Sequence, residues 1–102
     1  VPKLTLPEAQ ALLQQTPNWQ LVHDGDRIRR QWRAKNFMTA IHFFNEVAAL
    51  AEAEGHHPDL HLEGYRNITI EIWTHAIGGL SENDFILAAK IDQIPIAVRT
   101  SA

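Results

Sequence analysis

Arg66-Asn67-Ile68-Thr69-Ile70-Glu71-Ile72-Trp73-Thr74-His75 alternates apolar with polar side chains, the period of two that a β-strand with one buried face requires. Ile68, Ile70 and Ile72 share the apolar face, and Thr69, Glu71, Trp73 and His75 share the other. One covered face and one open face suit an antiparallel sheet, because a parallel sheet is buried on both sides. Toward the N-terminus, residues 60–62 supply a short strand to pair with residues 66–75. Before them, Ala40, Phe43, Phe44, Val47, Ala48 and Ala51 recur at spacings of three and four, which predicts a helix from about Thr39 with that set as its buried face. Gly55 stops this helix.

The same logic extends to both ends. Asp24-Gly25-Asp26 turns a strand at residues 19–23 into another at residues 27–35, in which Ile28, Trp32 and Ala34 share one parity. Thr5 and Glu8 have capping-box spacing, Pro7 suits a first turn, and Ala9, Leu12 and Leu13 form an apolar stripe, so a helix should run to about Thr16. After the Gly78-Gly79 turn, Ser81 and Asp84 repeat the capping-box spacing ahead of Phe85, Leu87, Ala88, Ile91 and Ile94, a third helix with Pro95 near its end. The predicted order is α-β-β-α-β-β-α. Two hairpin-like pairs joined by helices predict an α+β fold, a four-stranded antiparallel sheet with three helices packed on one face.

At 102 residues the chain reads as a single domain, residues 1–102, with one core. Nine Lys or Arg against 12 Asp or Glu give a net charge of -3, which argues against a phosphate-backbone or anionic-membrane partner. Arg27, Arg29, Arg30 and Arg33 fall on both faces of their strand and read as solvated or edge-protecting charges. The chain has no cysteine, so neither a disulfide framework nor thiol catalysis is available. A polar N-terminus without an 18-residue apolar run points away from a signal peptide or membrane span, and the expected location is cytoplasmic.

Chemistry concentrates at Glu52-Ala53-Glu54-Gly55-His56-His57-Pro58, with His75 at the end of its strand and Asp84 beyond the glycine turn. Imidazole both accepts and donates a proton near neutral pH, with an unperturbed pKa of about 6.5, as paired acid-base steps on a small molecule require. Pro58 restricts the backbone at His57 and makes the placement of the pair reproducible. Trp73 shares parity with His75 and can flank a planar ligand. The competing reading is a zinc site drawn from His56, His57, Asp59, His61 and His75, but adjacent histidines suit one ion poorly and no zincin motif is present. Serine nucleophile elbows, phosphate-cradling loops and dinucleotide fingerprints are absent.

Glu52, His56-His57-Pro58, Tyr65, His75 and Asp84, at these long spacings, resemble the pattern of the pterin-4a-carbinolamine dehydratases, and the order of helices and strands is similar over residues 6–94. That resemblance implies dehydration of 4a-hydroxytetrahydrobiopterin, or a related 4a-hydroxytetrahydropterin, to quinonoid dihydropterin plus water, with no cofactor and no metal. It implies His56, His57 and His75 as the active-site histidines, with Glu52, Pro58 and Asp84 in support. His56 takes the main acid-base role, His75 assists and orients, and His57, with Trp73, binds substrate, the roles of His75 and His57 being interchangeable. Asp59 matches the acidic residue that many relatives carry after the pair, and the chain departs from them at Leu60, where they carry an aromatic one. The resemblance further implies a homo-oligomer, with tetramer preferred over dimer, and an aromatic amino acid hydroxylase as a candidate coupled partner. Two other roles stand beside it: a dimerisation or regulatory cofactor for a transcription factor, and a metal-dependent hydratase.

Overall fold

The computed structural model describes residues 2–99. Its elements are α1 (Leu6–Leu13), β1 (Gln20–Val22), β2 (Arg27–Arg33), α2 (Phe37–Glu54), β3 (Asp59–Glu63), β4 (Asn67–Ile72) and α3 (Glu82–Asp92), with 3-10 turns at His23–Gly25 and His75–Ile77. The strands form one antiparallel sheet in the order β1-β2-β4-β3. This is the α-β-β-α-β-β-α order read from the sequence.

Each helix starts where its cap dictates. The Thr5 hydroxyl accepts from the Glu8 N–H while Glu8 reaches back to the Thr5 N–H at 2.8 Å, closing the capping box of α1. The Thr5 N–H and, second to it, the Thr5 hydroxyl at 2.9 Å donate to the Glu8 carboxylate and hold it below its ordinary pKa. Asn36 caps α2 by accepting from the Thr39 N–H at 2.9 Å, so the helix begins two residues ahead of Thr39. Ser81 and Asp84 form the capping box of α3.

The core lies between the sheet and the helices. Ile28 and Trp32 of β2 and Ile68, Ile70 and Ile72 of β4 meet Ala40, Phe43 and Val47 of α2 and Leu87, Ala88 and Ile91 of α3. Trp32 packs edge-on against Trp19, with ring centroids 5.9 Å apart, and against Phe43 at 5.1 Å. Burying side chains of this size contributes about 1.5–3 kcal/mol each, so the alternation in β4 is the main source of the sheet's fixed register.

Three expectations change in detail. Ala48 is exposed and Phe44 half-buried, because Ala40, Phe43, Val47 and Ala51 already complete the buried stripe of α2. Ile94 lies beyond the end of α3 yet still packs on the core. His75 does not end a strand: β4 stops at Ile72, one position past the last residue that β3 pairs (Asp59↔Glu71), and β2 reaches only Ile28↔Ile72. Pairing with both neighbours has ended by this point, and residues 73–75 leave the sheet. Thr74 instead bridges Gly79, and Gly78, at φ 65°, closes the His75–Ile77 turn in the left-handed region that glycine enters without strain.

Candidate active site

The end of α2 places the histidine pair. Gly55 adopts φ 65° and its N–H donates to the Glu52 carbonyl, while the His56 N–H donates to the Ala51 carbonyl. This pair of bonds is the Schellman arrangement, which ends a helix and fixes the direction of the residue after the glycine. His56 is therefore aimed by backbone geometry before its side chain makes any contact.

That side chain meets Asp84. His56 Nε2 lies 2.5 Å from Asp84 Oδ1, and Asp84 is fully buried, with 0% exposure. The other carboxylate oxygen, Oδ2, accepts from the Ser81 N–H at 2.8 Å and the Thr74 hydroxyl at 2.9 Å; the Thr74 hydroxyl in turn lies 2.8 Å from Ser81 Oγ. A carboxylate receiving this many donors is an acceptor, so Nε2 of His56 carries the donated hydrogen. Nδ1 of His56 has no protein partner among the described residues and is the nitrogen left for a ligand. A buried charge without such partners would cost several kcal/mol, and here Asp84 is satisfied on both oxygens.

The remaining candidates gather around one opening. Gly55, His56, His57, Pro58, Asp59, Trp73, Thr74 and His75 line a pocket of about 390 Å³, within the size range of small-molecule sites. His57 donates from Nε2 to Glu52 Oε1 at 2.9 Å, both side chains being exposed, a contact that orients the ring and adds little stability. The Trp73 indole N–H donates to Asp59 Oδ2 at 3.3 Å. Its ring stacks on His75, with centroids 3.9 Å apart and planes 24° apart, and also carries the Arg27 guanidinium at 4.3 Å. Trp73 thus lines the pocket as a ring already engaged by two planar groups rather than as a bare platform. Tyr65, part of the sequence pattern, stays on the β3–β4 turn and is exposed.

Two charge clusters, one on the open sheet face and one on the helix-covered face, carried no sequence signal beyond charge. Glu71 is buried at 7% exposure and accepts from Arg27 at 3.2 Å and Arg29 at 2.8 Å, with His23 at 3.6 Å. Burial alone would raise its pKa, but the hydrogen bonds from Arg29 and Arg27 and the nearby charge outweigh this and hold the carboxyl below its ordinary value. Arg30 pairs with Asp92. Three of the four arginines of β2 are therefore committed to internal partners, which removes the basis for a phosphate-binding stripe. Among the described residues, no three His, Asp or Glu side chains are arranged to hold a metal ion, and no helix is long and apolar enough to cross a membrane.

A family model described as Pterin 4 alpha carbinolamine dehydratase matches residues 2–94. The chain is 56% identical over 95 residues to pterin-4-alpha-carbinolamine dehydratase 2, mitochondrial, of Arabidopsis thaliana, covering 91% of this chain and 51% of that protein. A second Arabidopsis relative, named as chloroplastic, is 42% identical over 91% of this chain and 44% of its own length. The chain thus spans about half the length of these two plant proteins. Among solved structures, the transcriptional coactivator/pterin dehydratase from Brucella melitensis superimposes with a TM-score of 0.81 at 31% identity, covering 88% of this chain and 95% of that one. The mitochondrial and chloroplastic relatives overturn the cytoplasmic expectation. Net charge and the lack of a long apolar run describe the surface of a folded domain, which is equally suited to an organelle, so neither argues for the cytosol.

Proposed function

The chain belongs to the pterin 4 alpha carbinolamine dehydratase family, and on that premise we propose that it dehydrates a 4a-hydroxytetrahydropterin to the quinonoid dihydropterin by acid-base catalysis between histidines. The observation that carries this reading is His56, held through Nε2 by buried Asp84 at the wall of a pocket it shares with His57 and His75. One imidazolium gives its proton to the departing 4a-hydroxyl as the C4a–O bond breaks. A second imidazole takes the N5 proton, and the electron pair of that N–H bond becomes the C4a–N5 double bond. One proton is given and one taken, so exchange with solvent restores both rings. His56 is the main acid-base group, because Asp84 stabilises the charged ring and leaves Nδ1 for substrate. His75 assists across the pocket, and His57, oriented by Glu52, binds the pterin.

We further propose self-association, tetramer in preference to dimer, and a coupled aromatic amino acid hydroxylase as the source of the 4a-hydroxy adduct. The dehydration itself is tested by rapid mixing of 4a-hydroxytetrahydropterin with the protein before and after chelator treatment. Acceleration of quinonoid product formation in both samples is expected. Acceleration that vanishes on chelation and returns with added metal would replace this reading with the metal-dependent hydratase, and no acceleration would remove it.

A further inference from the structure

His75 faces the pocket from a turn that has left the sheet, is exposed, and makes no side-chain hydrogen bond among the described residues. Its ring is held by stacking on Trp73, with centroids 3.9 Å apart. Trp73 is itself held at two points, by the Asp59 carboxylate at its indole N–H and by the Arg27 guanidinium over its ring. Arg27 in turn donates to buried Glu71 at 3.2 Å and lies 4.0 Å from Asp59. These contacts run without a gap from a carboxylate on the open sheet face to an imidazole at the pocket.

We propose that Arg27, anchored by Glu71, is a positioning residue for the dehydration, acting through the Trp73 ring to hold His75 in its working orientation. The chain of contacts accounts for three facts together. A glutamate is buried on the face of the sheet that is otherwise polar and open, at a desolvation cost that needs a purpose or a compensation. A tryptophan in the pocket wall is occupied by protein groups on its ring rather than left free for a ligand. A histidine on a short turn, where a free ring would sample several rotamers, has one stacked arrangement. The guanidinium is the group suited to this job, because its plane stacks on an indole while its edge donates to a carboxylate, and a lysine ammonium has no plane to stack. Glu71, kept ionised by Arg29 as well as Arg27, fixes the far end.

The proposal rests on His75 having the assisting role given above, and the test separates the two. Arg27→Lys keeps the charge opposite Glu71, so the sheet stays intact, but removes the planar stack. Arg27→Lys should lower kcat for dehydration about three- to tenfold with KM changed less than about twofold, as expected when a reacting group is misplaced while substrate binding is kept. The same substitution made in a His75→Ala background should have no further effect on kcat, since the group it positions is gone. Ring-proton NMR gives a readout independent of turnover. The His75 signals should be shifted upfield by the indole in the wild type, lose much of that shift in Arg27→Lys and all of it in Trp73→Leu. A rise in KM at unchanged kcat, an equal fall in kcat in the His75→Ala background, or an unaltered His75 ring shift in Arg27→Lys would each overturn the proposal. Wild-type turnover by His75→Ala would instead remove the assisting role of His75 itself.

Discussion

Asp84 Oδ2 closes the N-terminus of α3 through the Ser81 N–H while Oδ1 stands 2.5 Å from His56 Nε2, so one carboxylate serves folding and chemistry with different oxygens. Substituting Asp84 by Asn separates the two. The amide oxygen can still accept from Ser81, but it carries no charge to stabilise an imidazolium, and its NH₂ group cannot accept from Nε2. Asp84→Asn should lower kcat for dehydration by about 10–100-fold and stability by about 1–3 kcal/mol, read from turnover and from the urea midpoint. A stability loss with unchanged kcat would reduce Asp84 to a helix cap. The capping half of this role was legible in the sequence, because Ser81 and Asp84 stand three apart ahead of an apolar run. The contact with His56 was not, since it crosses 28 residues and nothing in local spacing ties a helix start to a distant loop. Trp73 was legible in the same partial way. Parity put it beside His75, but not the Arg27 stack, which depends on the lateral register of β2 against β4.

At the scale of elements, α2 shows how a glycine sets the site. Gly55 at φ 65° permits the bonds from its own N–H to Glu52 and from the His56 N–H to Ala51. A Cβ at this position would meet no atom within 4 Å, so Gly55→Ala should cost only the left-handed conformation of an L-residue, about 1–2 kcal/mol, seen as a lower urea midpoint with an unchanged m-value. An unaltered midpoint would show that the helix end is not under this constraint. The buried stripes of α2 and β4 were readable because burial is periodic along a regular element. The strand end was not, since β4 stops where its neighbours stop, a property of three strands at once. Continuing the period of two through residues 73–75 therefore put His75 on a strand instead of on the turn that follows it.

The molecule as a whole sets an apolar layer of helices against one sheet face and leaves the other to Arg27, Arg29, Glu71, Thr69 and His61. The apolar positions of α3 at Phe85, Leu87, Ala88 and Ile91 are all buried within the subunit, so its breadth is explained by the core and is not in itself an interface. Phe37 and Met38, in the first turn of α2, remain about half exposed, at 48% and 55%. Large apolar side chains side by side on the surface of a 102-residue chain favour burial by a second copy. Light scattering over a dilution series at fixed salt should give an oligomer, and a strictly monomeric mass at micromolar concentration would contradict it. Whether the histidines at the pocket perform the proton transfers is decided most directly by stopped-flow dehydration of 4a-hydroxytetrahydropterin with the wild type, His56→Ala and His75→Ala, all checked for native melting. The expected result is a fall in kcat of about 10²–10⁴-fold for His56→Ala and a smaller fall for His75→Ala, whereas unchanged turnover in both variants would contradict histidine acid-base catalysis at this site.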